Sequence, residues 1–476
     1  MESFLIKAAQ LVVALIILVT VHEFGHYIFA RIFGIKVNRF YLFFNPGFSL
    51  LKWDPMKGTL RIMSRDDNHS WKTIQVSKPR TPRADGKPTW RDTIYGLGWL
   101  PLGGYCDIAG MVDETKSSKD LAEQPQPWEF RTKAAWKRLL VMVAGVLFNF
   151  LLAIVIYIGI AFHWGDRVVP YENITEGMDF SEAMHQAGFR DGDILLALNG
   201  RPIDAREVDN GWKFIQPGAS LRLLRDHTDT VEITVDQKLF NALIAANEPY
   251  MTMRIPVVVE DVQGGDGAAK AGLRSGDRIL SVAGEPTPSL SEFFPALKSH
   301  SGTTAAMEIL DAEGSARRAD VEINDAGKIG IMLRPAGKIY DVTEVDYTLF
   351  QAIPRGWHTG VKQLTTYVSS MKLVFTKEGA KSMGGFGTLG SLFSTSWNWL
   401  SFWEITAFLS VILAFMNIIP IPALDGGYTL FLLIEIITRR KPGERFIEIA
   451  NMIGMGFLFL LLVYANLNDV YRLIIK

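Results

Sequence analysis

The sequence contains few of the residues on which several common classes of protein depend. A single cysteine, Cys106, occurs among 476 residues, which excludes an intrachain disulfide and a zinc site built from several cysteines. Positive charge is not in excess, because 49 basic side chains are balanced by 50 acidic ones. A nucleic-acid-binding protein normally carries a basic surface, so we do not expect nucleic acid as a partner. Only eight histidines are present, and two of them lie in one short motif.

Apolar residues are concentrated towards the two ends of the chain, in four stretches that could cross a bilayer. A bilayer core about 30 Å thick requires roughly 20 apolar helical residues. The four stretches are 8–35, 141–162, the uncharged segment between Glu404 and Asp425, and 449–468. We therefore predict a polytopic α-helical membrane protein with four transmembrane helices. Buried helices of a soluble core are the alternative, which the uncharged second and fourth stretches disfavour.

Basic residues flank these stretches and predict their orientation, because Lys and Arg predominate in cytoplasmic loops. One cluster precedes the second stretch and another fills the short connection between the third and the fourth: Arg131, Lys133, Lys137 and Arg138, and Arg439, Arg440, Lys441 and Arg445. Both clusters are expected to face the cytoplasm. Both termini and the residues from about 163 to 401 are then expected on the other, exported side.

The middle of the chain contains a repeat. The segment 187–195 recurs at 271–280, and three glycines in each copy keep the same spacing: Gly188, Gly192 and Gly200, and Gly272, Gly276 and Gly284. Each copy predicts a short helix that ends at glycine, a Gly-Asp turn and a strand closed by another glycine turn. The pattern resembles bacterial PDZ domains, which bind extended peptides at a sheet edge. A spacer or size filter without a bound peptide is an equal alternative.

An HExxH motif lies inside the first apolar stretch, at His22, Glu23 and His26. Residues four positions apart share one face of a helix, so both imidazoles can bind one zinc ion. Glu23 then lies beside the open coordination position, where a carboxylate can take a proton from water that the metal has acidified. Ionisable residues inside an apolar span are costly and usually functional, which disfavours two ordinary surface histidines.

A catalytic zinc ion normally has three protein ligands, so a third must come from elsewhere in the chain. The other six histidines, at 69, 163, 185, 227, 300 and 358, all lie outside the apolar stretches. Asp425 is therefore the candidate, at the end of the third stretch and shortly after Pro420 and Pro422. Such irregular backbone at membrane depth is tolerated only against protein or a wet cavity. An ordinary carboxylate at a helix end is the alternative.

These motifs resemble those of a known family. HEFGH at 22–26 and the NxxPxPxLDGG pattern that begins at Asn417 are similar to the zinc motifs of the intramembrane site-2 proteases. The segment 100–105 resembles the PLGGY segment of that family, and 144–150 resembles one of its helices. With two PDZ-like repeats between the motifs, the chain resembles the branch of the regulator of sigma-E proteases.

The resemblance implies that His22, His26 and Asp425 bind Zn²⁺ and that Glu23 is the general base. It also places Asn417 at a position that holds substrate near the zinc; a helix cap or an interhelical hydrogen bond is the alternative for this residue. We further expect substrate contacts from Pro420, Pro422, Gly103, Gly104 and Tyr105. Expected substrates are single-span membrane proteins that another protease has already truncated, such as anti-sigma factors and remnants of signal peptides. The expected location is the bacterial inner membrane, with both termini and the PDZ-like domains in the periplasm.

The predicted domain plan has eight segments. They are the first transmembrane helix with HExxH at 1–35, a cytoplasmic-side, membrane-associated β-hairpin region at 36–136, the second transmembrane helix at 137–163, PDZ-like domains at 166–251 and 252–336, a membrane-proximal linker or amphipathic segment at 337–400, and transmembrane helices at 401–425 and 447–468. The insertion at 52–92 is longer than the family pattern. A hairpin edge within 37–107 is expected to pair with an unwound substrate strand.

Two other functions compete with a protease. A membrane metal transporter also places His and Asp within spans, but it would carry several such residues along a pore. A catalytically inactive PDZ scaffold would be free to lose Glu23, which is present. We therefore predict an intramembrane zinc metalloendopeptidase.

Overall fold

The structure, a computed structural model, describes residues 2–65, 70–83, 86–100, 103–111, 124–205, 211–246, 249–374 and 384–475. The chain forms two compact units, which we call the membrane unit (Met1–Trp164 and Tyr347–Lys476) and the repeat unit (Gly165–Asp346). Among these described residues, four helices are long and apolar enough to cross a membrane: Phe4–Ile32, Ala135–Trp164, Trp399–Ile418 and Arg445–Tyr471. The prediction of four membrane helices is confirmed at this level.

The first part of the membrane unit contains two long helices, and the strands of a β-sheet lie between them along the chain. Its elements are α1 (Glu2–Ile32), β1 (Val37–Leu42), β2 (Phe48–Asp54), β3 (Thr59–Arg65), β4 (Ser70–Gln75), β5 (Ile94–Leu97), β6 (Tyr105–Ile108) and α2 (Ala135–Trp164). The six strands form one sheet in the order β4-β3-β2-β5-β1-β6, in which only β1 and β5 run parallel. The predicted hairpin region is therefore a larger sheet, to which the 52–92 insertion contributes β3 and β4.

The repeat unit is built from short strands and helices. They are β7 (Asp166–Val168), β8 (Met178–Phe180), α3 (Glu182–Gln186), β9 (Ile194–Leu198), β10 (Arg201–Pro202), β11 (Ser220–Arg225), β12 (Asp229–Thr234), α4 (Gln237–Ala246), β13 (Met251–Met253), β14 (Val259–Val262), α5 (Gly267–Lys270), β15 (Arg278–Val282), β16 (Glu285–Pro286), α6 (Leu290–Ser299), β17 (Thr304–Leu310), β18 (Ala316–Glu322), β19 (Ile331–Leu333), α7 (Ala336–Ile339) and β20 (Thr343–Val345).

The two sequence repeats have matching folds. The first contains a four-stranded sheet in the order β10-β9-β11-β12, and the second has the order β16-β15-β17-β18. In each copy a short helix, α3 or α5, precedes the Gly-Asp turn and the central strand. Each sheet covers its own apolar cluster, which includes Phe189 and Leu223 in the first repeat and Phe293 and Met307 in the second. The helix-turn-strand order agrees with the sequence pattern in both copies.

The second part of the membrane unit is helical. It contains α8 (Leu349–Val374), α9 (Phe386–Ser391), α10 (Trp399–Ile418), α11 (Asp425–Thr438) and α12 (Glu444–Ile475). Helix α2 packs against α1, α8, α10 and α11, and is therefore the central helix of this unit. Its residues within the bilayer-length segment carry no charge, as a helix surrounded by other helices and lipid requires.

The third apolar stretch is interrupted. Helix α10 ends at Ile418, because Pro420 has no backbone N–H and disfavours helical geometry at the residue before it. Residues 419–424 form a loop, and Asp425 lies in the first turn of the next helix, α11. The sequence alone suggested a span that continues to Asp425. The break lets the carboxylate turn towards α1 instead of following the surface of one straight helix.

Candidate metal centre and active site

His22 and His26 lie one turn apart on α1 and face the backbone of α2. The two helices approach closely there, since a Cβ on Gly25 would lie 2.5 Å from the Ala144 carbonyl oxygen. A Cβ on Gly145 would lie 2.7 Å from His22 Cε1 and 2.9 Å from His22 Nδ1. Real Cβ atoms do not approach other atoms so closely, so Gly25 lets the two helices come together and Gly145 makes room for the imidazoles.

The carboxylate of Asp425 lies close to the imidazole rings of both His22 and His26. Its Oδ2 lies 3.2 Å from Nε2 of His22 and 3.2 Å from Nε2 of His26, and the two Nε2 atoms are 3.3 Å apart. A tetrahedral zinc ion with bonds of about 2.0–2.1 Å requires donor separations of about 3.3 Å. The three donors therefore fit zinc, and they are the His22, His26 and Asp425 set predicted from the sequence.

Hydrogen bonds aim these donors at a common centre. His26 Nδ1 lies 2.9 Å from the Val141 carbonyl oxygen, which can only accept, so Nδ1 carries the proton and Nε2 has a free lone pair. His22 Nδ1 lies 3.2 Å from the side-chain amide of Asn149. Asp425 Oδ2 is buried and, in the described part of the chain, has no hydrogen-bond partner apart from the two rings. A buried carboxylate oxygen left in this state is suited to a cation.

Glu23 stands between the metal donors and the edge of the sheet. The backbone N–H of Cys106 in β6 donates to its carboxylate. With the three donors, Glu23 lines a cavity of about 220 Å³ whose other polar lining groups include Asn417 of α10 and Asn451 of α12. The carboxylate predicted to be the base therefore faces the same space as the metal donors.

The predicted substrate contacts near the third stretch divide into two groups. Asn417 lines the cavity, and its Nδ2 lies 3.4 Å from His22 Nε2. Pro420 and Pro422 lie in the loop before Asp425, and the described wall of the cavity includes Ala423 from that loop but neither proline. The prolines thus shape the loop, while Asn417 is placed to touch a bound molecule.

The predicted contacts in the PLGGY segment lie at the edge of the sheet. Gly104 and Tyr105 line the cavity, and Gly103 has a φ of 155°, which favours glycine. The Tyr105 ring stacks on Tyr41 at 5.2 Å, and burial raises the pKa of its hydroxyl to about 12, so the neutral hydroxyl donates to Asn45 Oδ1. Pro101 and Leu102 of this segment lie outside the described residues.

Two buried asparagines at the site were missed by sequence reasoning. Asn149 contacts His22, and the Oδ1 of Asn451 accepts a hydrogen bond of 3.2 Å from the backbone N–H of Ala423. Ala423 has a φ of 80°, so this bond holds a strained residue two positions before Asp425. In the sequence, each of these residues is an amide side chain within an otherwise apolar stretch. Such a residue indicates a functional position, but the sequence does not show which group it contacts.

A family model now gives the site a context. The model of peptidase family M50 matches residues 10–63 and 86–461, which together are most of the chain. This chain belongs to peptidase family M50. The unmatched residues 64–85 fall within the insertion predicted at 52–92, so that part of the sheet is a departure from the family pattern.

Curated M50-like relatives match this chain over nearly its whole length. A regulator of sigma-E protease RseP from Salmonella typhimurium is 27% identical and covers 99% of this chain and 100% of its own. A regulator of sigma E protease from Haemophilus influenzae is 26% identical with the same coverage. A candidate zinc metalloprotease from Neisseria meningitidis serogroup A is 27% identical over 97% of this chain and 98% of its own. A solved PDZ domain of an SdrC-like protein from Listeria monocytogenes is 27% identical, with 17% and 90% coverage and a TM-score of 0.15.

Proposed function

We propose that this M50 peptidase is a zinc metalloendopeptidase that hydrolyses peptide bonds within transmembrane segments of other membrane proteins. The observation that carries the proposal is the convergence of His22, His26 and Asp425 beside Glu23, inside helices long enough to span a bilayer. Zinc is the metal that best fits two imidazoles and one carboxylate in a redox-neutral hydrolase. The names of the relatives from Salmonella and Neisseria support the same chemistry.

Glu23 is the general base in this proposal. When bound, zinc supplies Lewis acidity towards water and towards the scissile carbonyl. Glu23 takes the proton from the attacking water and later returns it to the leaving amine. The Cys106 N–H holds the Glu23 carboxylate in place, and the Asn417 amide can donate to the substrate carbonyl oxygen as negative charge develops on it.

Strand β6, which is last in the strand order of the described sheet, is the proposed docking site for substrate. A transmembrane helix protects its peptide bonds with internal hydrogen bonds, so a substrate must unwind before cleavage. Strand β6 pairs with β1 on one side, and its other side faces Glu23 and the cavity. A substrate strand added there would run past the metal donors, with Gly103, Gly104 and Tyr105 beneath it and Asn417 opposite. Pro420 and Pro422 would act by holding the loop that carries Asp425.

The repeat unit is proposed to restrict access. In this proposal the protein lies in the inner membrane of a bacterium, and its two repeats act as PDZ-like domains in the periplasm. They admit single-span proteins that another protease has already shortened. The names of the regulator of sigma-E relatives favour anti-sigma factors as substrates. Remnants of signal peptides are further candidate substrates, because they too cross the membrane once. Peptide binding by the repeats and a pure size filter are both compatible with this role.

Excision of the repeat unit tests the filter. Asp166 of β7 pairs with Val345 of β20, so the two ends of the unit lie side by side and a short Gly-Ser linker can replace the residues between them. We expect the shortened protein to cleave single-span substrates that retain their exported domains, which the full chain rejects. A shortened protein that binds zinc and still rejects these substrates would contradict the filter.

Cleavage by the purified protein tests the catalytic proposal. A tagged single-span substrate, truncated on its exported side, would be incubated with the parent and with Glu23→Gln, and zinc would be measured in both samples. We expect zinc in both and cleavage by the parent alone, because Glu23 is a base and not a ligand. Zinc in both without cleavage by either would favour a metal-binding protein that is not a protease, such as a transporter or a scaffold.

A further inference from the structure

The two histidines of the site differ in what holds them. His26 Nδ1 faces a backbone carbonyl, so its proton has only one possible position. His22 Nδ1 faces the side-chain amide of Asn149, whose Nδ2 lies 3.2 Å away, and a rotated amide can present its oxygen at the same place. The tautomer of His22 is therefore decided by a side chain, whereas the tautomer of His26 is decided by the backbone of α2.

Metal binding requires one of the two tautomers of His22. Its Nε2 faces Asp425 Oδ2 and His26 Nε2, so Nε2 must offer the lone pair and Nδ1 must carry the proton. A proton on Nδ1 needs an acceptor, and the Oδ1 of Asn149 is the oxygen at hand. The two ends of an amide have the same shape, so a half-turn about the terminal torsion exchanges them. In the orientation that the structure records, Nδ2 faces His22 Nδ1 and Oδ1 is buried without any hydrogen-bond partner among the described residues, which the half-turn would correct.

We propose that Asn149 is a positioning residue that fixes the metal-binding tautomer of His22 by accepting a hydrogen bond from Nδ1. The proposal rests on the metal centre of the proposed function. An acceptor that hydrogen-bonds to the ring nitrogen away from the metal orients a ligand imidazole and raises its basicity.

The surroundings of Asn149 support this role. It is fully buried and follows Gly145 by one helical turn, so both residues lie on the face of α2 that meets the imidazoles. Its own carbonyl accepts a hydrogen bond of 2.7 Å from Ser410 Oγ, which fixes this turn of α2 against α10. The amide therefore reaches His22 from a rigid position, which is a requirement for orienting a ligand.

Zinc affinity tests the role with readouts other than activity. Full-length parent, Asn149→Ala, Asn149→Asp and Ser410→Ala would be purified, and zinc dissociation constants would be measured by competition with a chelator. We expect Asn149→Ala to weaken zinc binding about 10–100-fold, the usual effect of removing a hydrogen-bond partner of a metal-binding histidine. Asn149→Asp offers only acceptor oxygens and should bind zinc at least as tightly as the parent. Ser410→Ala removes the neighbouring backbone contact but leaves the amide in place, so it should weaken zinc binding less than Asn149→Ala does.

Cobalt provides a second readout. The absorption spectrum of the Co²⁺-loaded protein reports the ligand geometry, which should change in Asn149→Ala and be restored in Asn149→Asp. If the alanine variant does not fold, the aspartate variant still decides the sign of the interaction. Parental affinity and spectrum in Asn149→Ala would overturn the proposal, as would zinc binding by Asn149→Asp that is weaker than in the alanine variant. A parent without zinc affinity would instead overturn the metal centre itself.

Discussion

Asp193 and Asp277 of the repeat unit serve a different purpose from Asp425 of the membrane unit. In the repeat unit, Asp193 and Asp277 each accept a backbone N–H bond within their own Gly-Asp turn and form an ion pair with an arginine. In the membrane unit, Asp425 Oδ2 is approached only by two imidazoles among the described residues. A buried carboxylate that the fold satisfies is structural, and one that the fold leaves facing nitrogen lone pairs is suited to a metal.

Asp193 and Asp277 occupy equivalent positions in the two repeats, but the arginines that pair with them do not. Arg225 ends β11 and reaches Asp193 at 2.7 Å. At the corresponding position the second repeat has Ile309, and the arginine that reaches Asp277 is Arg317, the cross-strand neighbour of Ile309 on β18. Each arginine also donates to the carbonyl of the glycine that ends the preceding helical segment. The same turn is thus closed from opposite strands of a hairpin.

Removing Asp425 should have the largest effect. Asp425→Ala deletes one of three ligands, so we expect zinc affinity to fall by more than about 100-fold and cleavage to be lost. Asp277→Ala is the control, because it removes a buried aspartate outside the membrane unit and should retain zinc. Metal analysis after dialysis against a weak chelator measures both variants. Full zinc occupancy in Asp425→Ala would show that the third ligand lies elsewhere.

Adding a methyl group beneath the imidazoles should have the next largest effect. Gly145→Ala places a Cβ against both His22 and His26, so we expect about 10–100-fold weaker zinc binding from displaced ligands. Gly159→Ala lies on the same helix with no atom within 4 Å of its new Cβ, and it should bind zinc like the parent. Equal zinc affinities for the two variants would mean that the close approach of α1 and α2 does not matter for the site.

Changing the structural aspartates should have the smallest effect on function and a graded effect on stability. Asp193→Ala leaves Arg225, a side chain only 13% exposed, without its partner, and should lower the local unfolding free energy by about 3 kcal/mol. Asp277→Ala should cost less, about 1–2 kcal/mol, because Arg317 is 34% exposed and water can replace the lost contact. Hydrogen exchange of β9 and β15 measures both. A larger loss at Asp277 would contradict the burial argument.

The convergence of His22, His26 and Asp425 could be predicted from the sequence, whereas the contacts that support them could not. HExxH has a fixed helical spacing, and elimination of the other histidines left Asp425 as the candidate third ligand. The end of α10 at Ile418 depends on how Pro420 and Pro422 fold back towards α11, and the parallel pairing of β1 with β5 joins residues far apart in sequence. Asn149 and Asn451 are ordinary amides until the packing of α2 and α12 supplies their partners.

Zinc K-edge X-ray absorption on the full-length Glu23→Gln protein tests the central claim most directly. The account predicts a four-coordinate ion with two imidazole ligands and the remaining donors oxygen, at about 2.0–2.2 Å. Introducing Asp425→Ala into the same protein should remove the ion or one oxygen donor. A sulfur donor near 2.3 Å would place Cys106 in the site, and an unchanged spectrum without Asp425 would exclude that carboxylate as a ligand. Either result would contradict the metal centre described here.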